Sequence, residues 1–157
     1  MNLYKNVYRV DEGNKYMLAV SLLNKGYIAF MFELVKLDRA DKSSGAADFF
    51  LGIDDARILC NHILNYKVQL LPFERIRGSQ GSEKVRALKV AAKNYKNCSI
   101  QIKNGSGDVK NGIRVLSNVD TDYFYNCSYD ELILIFHKVN SFIHVLDYKS
   151  LSGDVSV

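Results

Sequence analysis

Lys84-Val85-Arg86-Ala87-Leu88-Lys89-Val90-Ala91-Ala92 is the stretch on which the fold turns. Val85, Leu88 and Ala91/Ala92 fit a helical period, and Ala, Leu, Lys and Arg are good helix formers. Read as a strand, the same residues lie between a Gly/Ser loop, Gly78-Ser79-Gln80-Gly81-Ser82, and a segment that alternates cleanly. In that segment, 97–103, Cys98, Ile100 and Ile102 share one face and Ser99, Gln101 and Lys103 the other. We take 84–92 as a strand, which makes the second half of the chain repeat the order of the first.

Working backward, residues 3–10, 16–24 and 27–37 are rich in Tyr, Val, Ile, Phe and Leu, and are broken by Asp11-Glu12-Gly13-Asn14 and Asn24-Lys25-Gly26. They read as three strands with tight turns. The second and third are apolar on both faces, so one face covers a core and the other needs a partner. A short fourth strand, 47–53, runs into a helix. Asp54 is its expected cap, Ile53 and Ile58 a hydrophobic staple, and Ile58, Leu59, Ile63 and Tyr66 its apolar face. His62 reads as a core-edge histidine.

Working forward, strand-like segments at 70–77, 84–92, 97–103 and 113–118, with a further short one at 122–127, lead into the last helix. Ser128 and Glu131 form a capping-box pattern, and apolar residues recur at helical spacing from Leu132 to Leu146. The expected fold class is therefore α+β: two packed antiparallel four-stranded sheets with helices. One domain is built from two ββββα units, about 3–66 and 68–148, with a loose tail at 150–157.

A chain of 157 residues with 48% hydrophobic and 24% charged residues, one Pro and 10 Gly has the composition of one globular domain. The longest apolar runs fall short of the ~18 residues of a membrane span. No secretory or transit pattern follows Met1, so a cytoplasmic protein is expected. Cys60, Cys98 and Cys127 are odd in number and widely spaced, which suits buried reduced thiols. His137 and His144 lie seven apart with no third ligand, so neither a metal nor a cofactor is expected. No phosphate-loop, dinucleotide, zinc-protease or nucleophile-elbow motif occurs, and no pair of core carboxylates emerges, so no catalytic residue is assigned.

Charge is the informative quantity. Net charge is +4, but residues 67–119 alone carry 11 basic and 3 acidic side chains, against −4 for residues 120–157. Such a block fits either an anionic partner or a solvated basic sheet face that binds nothing.

Lys25-Gly26-Tyr27-Ile28-Ala29-Phe30 is similar to the Lys-Gly-Lys-Ala-Ala-Leu strand motif of the Whirly family of single-stranded DNA-binding proteins, with Tyr27 at the second lysine. Asp48 to Asp55 sits where that family has an aromatic strand entering its first helix. Lys84 to Val90, Cys98 to Asn104 and Asp122 to Phe142 resemble its later strands and long helix, and the smaller positive-cofactor-four type of coactivator shares the half-repeat. The resemblance implies a non-enzymatic, largely sequence-independent single-stranded DNA-binding protein with a role in replication, recombination, repair or transcription. Bases would stack on Tyr16, Tyr27, Phe30, Phe32 and Tyr95. Phosphates would meet Lys25, Lys84, Arg86, Lys89, Lys93, Lys96, Lys103 and Arg114. A homo-oligomer, a tetramer, is expected, with Phe136, Phe142, Ile143 and Leu146 of the last helix as its interface. A protein-interaction scaffold meeting an acidic partner, and RNA binding on the same surface, remain the alternatives.

Overall fold

The computed structural model describes residues 1–9, 15–24, 26–78, 82–111 and 113–152, the side chains of Arg9 and Ile113 excepted. Strands β1 (Asn2–Arg9), β2 (Lys15–Asn24), β3 (Ile28–Leu37) and β4 (Ser43–Gly52) pair antiparallel in chain order. Helix α1 (Ile53–Leu64) follows β4 without a loop, and a 3-10 turn (Val68–Leu70) and the cis Leu71–Pro72 bond lead on to the second half. There β5 (Phe73–Gly78), β6 (Lys84–Ala92), β7 (Cys98–Ser106) and β10 (Asn118–Cys127) form a second antiparallel meander, continued by α2 (Tyr129–Leu151). A small hairpin of β8 (Val109–Lys110) and β9 (Ile113–Arg114) is inserted before β10. The chain is thus an α+β fold with two antiparallel four-stranded sheets, and 84–92 is a strand.

Alternation explains the packing. Val20 opposes Phe32, which opposes Phe49, and Leu18 opposes Leu34, which opposes Ala47; all six are buried. In the second sheet Val90 opposes Ile100, which opposes Tyr125, again all buried. These inner faces and the buried stripe of α2 form one cluster, in which Phe32 stacks on Phe136 with ring centroids 5.9 Å apart. Each such side chain contributes roughly 1.5–3 kcal/mol by leaving water. Gly107 fits where the hairpin folds back, because a Cβ there would run into the Val115 carbonyl.

Several boundaries differ from the sequence reading. The fourth strand begins at Ser43, and the last is ten residues long rather than a short piece at 122–127; residues 113–118 split between β9, a connection at 115–117 and the first residue of β10. At α1 the N-cap is Gly52, with no side-chain cap bond, because β4 runs straight into the helix. Asp54 and Asp55 instead lie in the first turn, where negative charge suits the helix dipole. The staple does not form: Ile58 and Tyr66 are exposed, and Ala56, Leu59, Cys60 and Ile63 form the buried face. At α2 the Ser128 hydroxyl accepts from the Glu131 N–H at 3.2 Å, but the Glu131 carboxylate reaches across to the sheets rather than back to the cap. Its Oε1 accepts from the Tyr4 hydroxyl, from Tyr125 at 2.5 Å and from Asn6 at 2.9 Å. The helix also extends to Leu151, into the segment expected as tail, and residues 153–157 lie outside the described residues.

The helices pack on each other. Tyr129 donates to the Ile63 carbonyl at 2.7 Å, and Arg57 pairs with Asp147. Among the described residues no helix is long and apolar enough to cross a membrane.

Candidate nucleic-acid interface

A groove of about 710 Å³ opens where the outer side of the first sheet at β3 and β4 meets the start of β6, the end of β5 and β9. Tyr27 and Phe50 come from the first sheet, and Arg77, Lys84, Arg86 and Arg114 from the second half. Tyr27 stands out because Gly26 takes a left-handed conformation, φ 75°, that turns β2 into β3 and leaves the ring 57% exposed. Phe50 points outward because Phe49 and Leu51, its neighbours in β4, point inward.

Charge in the groove is arranged by two carboxylates. Asp55 holds Arg75 Nε at 2.9 Å and Arg77 at 2.9 Å, while Asp48 holds Arg86 at 2.6 Å. The Arg86 guanidinium also lies 5.9 Å from the centre of the Phe50 ring. Arg114 donates to the Ser82 carbonyl at 3.1 Å. Lys84 is exposed and has no carboxylate within ion-pair distance among the described residues. Four cations and two aromatic faces thus border one trough, an arrangement that can stack a base while neutralising the phosphates beside it.

The structure divides the site residues expected from the sequence. Tyr27, Lys84, Arg86 and Arg114 are brought together in this groove. Lys25 lies outside the described residues. Lys89 and Lys103 lie on the outward face of the second sheet, where Lys89 is 3.5 Å from Glu74. Lys93, Tyr95 and Lys96 occupy the β6–β7 turn, about 30 Å from Lys84 at the rise of a strand. There Tyr95 packs edge-on against Tyr129 with centroids 5.3 Å apart and is still 61% exposed.

Three aromatic residues expected to stack bases are placed otherwise. Phe30 and Phe32 are wholly buried on the inner face of β3, so they fill the core and present nothing to a base. Tyr16 packs against Tyr123 and Phe124 of β10. The interface assigned to α2 is corrected too: Phe136, Ile143 and Leu146 are buried within the subunit, and Phe142 is half-buried against the same core. A 23-residue helix against two sheets and α1 covers more apolar surface than sequence suggested. Sequence reasoning missed Phe50 and Arg77, and the signal for Phe50 was its parity in a strand whose other face is Ala47, Phe49 and Leu51.

Elsewhere, desolvation holds the His62 imidazole below its usual pKa, with Lys67 and Arg75 adding to the effect, and the ring sits edge-on to Phe73. His144 Nε2 is 3.3 Å from the Asn140 amide nitrogen. No group of three or more metal-binding side chains occurs among the described residues. The chain matches no protein-family model, no curated protein and no solved structure at a significant level.

Proposed function

We propose that this chain is a non-enzymatic single-stranded DNA-binding protein whose bases stack in the groove on Tyr27 and Phe50 while Arg77, Lys84, Arg86 and Arg114 meet the phosphates. One observation carries the reading: the groove is where the exposed Tyr27 ring and the half-buried Phe50 ring of one half and cations of the other border the same trough. The two ββββα meanders, in the order that resembles the Whirly family, support it. A duplex shields its base faces, so the stacking term is open only to a single strand.

A mobility shift with single-stranded DNA, single-stranded RNA and duplex of equal length, at several salt concentrations, tests this. Tighter binding of the single strand is expected. Equal affinity for the duplex would reduce the groove to a charged surface, and binding only of acidic polypeptide would favour the scaffold reading. RNA bound more tightly than DNA would place the 2′-hydroxyl in the groove.

The same reading includes a homo-oligomer, a tetramer, formed through residues other than the α2 set expected from the sequence. Ile58 of α1 and Leu134, Val145, Tyr148 and Leu151 of α2 are apolar or aromatic and exposed. Light scattering should return a multiple of 17.8 kDa, and Val145→Asp should lower it without unfolding the chain.

A further inference from the structure

Cys98 and Cys127 are 29 residues apart in sequence, a spacing that suggests no pairing. The sheet register makes them direct partners, at the first position of β7 and the last of β10. Residues directly opposed in an antiparallel pair have Cα atoms about 4.5–5.5 Å apart and side chains on one face, which is within the 4.4–6.8 Å a disulfide spans. Both residues line the same cavity of about 740 Å³, beside Lys93, Lys96 and Asn126. Cys60, the third thiol, lies on α1 and donates to the Phe136 carbonyl at 3.5 Å.

We propose that Cys98 and Cys127 are a dithiol modification site that closes to a cross-strand disulfide when it meets a low-molecular-weight disulfide such as oxidised glutathione. One protein thiolate attacks the glutathione disulfide, forming a mixed disulfide and expelling one glutathione thiolate. The opposed cysteine, deprotonated, then attacks the protein sulfur of that mixed disulfide, forming the Cys98–Cys127 bond and expelling the second glutathione. Two protein thiols are oxidised, one glutathione disulfide is reduced to two thiols, and the two protons go to the departing thiolates. Burial raises the pKa of both cysteines, and Glu131 adds to the rise at Cys127, so thiolate is scarce and the first step is slow. The second step is fast, because its partner is already opposite.

Closure changes local bonding. The Cys98 thiol donates to the Asn94 carbonyl at 3.3 Å, and that donor is lost on oxidation. The Lys96 and Asn97 N–H groups stay on the Asn94 side-chain oxygen, both at 2.9 Å, so the turn keeps its shape while the new bond ties it to the residue before the Ser128 cap. This inference does not rest on the function of the groove, which none of these residues lines.

The test is prolonged incubation of the native chain with oxidised glutathione at mildly alkaline pH, followed by acid quench, alkylation and peptide mapping by mass. The expected product is a monomeric chain two hydrogens lighter, with Cys98 linked to Cys127, Cys60 still alkylated, and full reversal by dithiothreitol. In Cys127→Ser the glutathione adduct should persist on Cys98, because no resolving thiol remains. Persistent glutathione adducts on the unmodified chain, a link to Cys60 or to a second chain, or three unreacted thiols would each overturn the proposal.

Discussion

The two sheets share one topology and divide the chemistry between them. The outward face of the first sheet carries Met17, Ala19, Met31, Val35 and Phe50, with Glu33 and Asp48 as its acidic positions. The outward face of the second carries Lys89, Gln101 and Lys103. At the groove the aromatic rings, Tyr27 and Phe50, come from the first half and the cations Arg77, Lys84, Arg86 and Arg114 from the second. The groove is therefore a feature of the edge where the two halves meet.

The largest effect should come from breaking what joins the halves. Phe32→Ala removes a ring stacked on Phe136, and a core truncation of this kind costs about 3–5 kcal/mol in urea unfolding. A loss under about 1 kcal/mol would mean that the first sheet and α2 do not share a core. Next in size is Glu131→Leu, which takes the carboxylate acceptor from the buried Tyr4 and Tyr125 hydroxyls, at roughly 1–3 kcal/mol for each one left unpaired, while the exposed Asn6 amide keeps the Tyr125 oxygen at 2.9 Å.

Binding should separate the halves more finely. Tyr27→Ala should cost about 1–3 kcal/mol of single-strand affinity while leaving the salt slope and Tm in place. Replacing Arg77, Lys84 and Arg86 together with Gln should instead flatten the logarithmic salt dependence by about 2, at ~0.7 for each phosphate no longer neutralised. An unchanged slope would move the phosphate path to Lys89 and Lys103. Asp48→Asn, which frees Arg86, should tighten binding by less than about tenfold, since a pair this exposed is worth little.

The smallest effect concerns pH. Bonding to Arg57 holds the Asp147 carboxyl below its ordinary pKa. Its contribution is therefore present above the pKa of the unfolded chain and is lost as pH falls through the lower, folded value. Arg57→Ala should flatten the acid limb of a stability profile, and an unaltered limb would show the pair to be inert.

Most of the fold was legible because period 2 is a strong signal wherever one face is buried, as in Cys98, Ile100 and Ile102. The hairpin at 109–114 was not, since strands of two residues have no period to read. In the site, charge was legible as a block but not as a place: Lys84 and Lys93 are near in sequence, yet an extended strand carries them to opposite ends of the sheet. Phe30 and Phe50 show the same limit for aromatics. Composition names a ring, and only parity and register decide whether it faces the core.

The Glu131 carboxylate has a kinetic meaning as well. It is the acceptor for Tyr4 and Asn6, partners 127 and 125 residues earlier in the chain. Translation delivers this acceptor long after β1, at about 5–20 residues per second. Strand β1 can pair with β2 early, but its polar side chains must wait in water until α2 has been made. Contacts of such sequence separation slow folding, so the final locking of this fold is timed by α2.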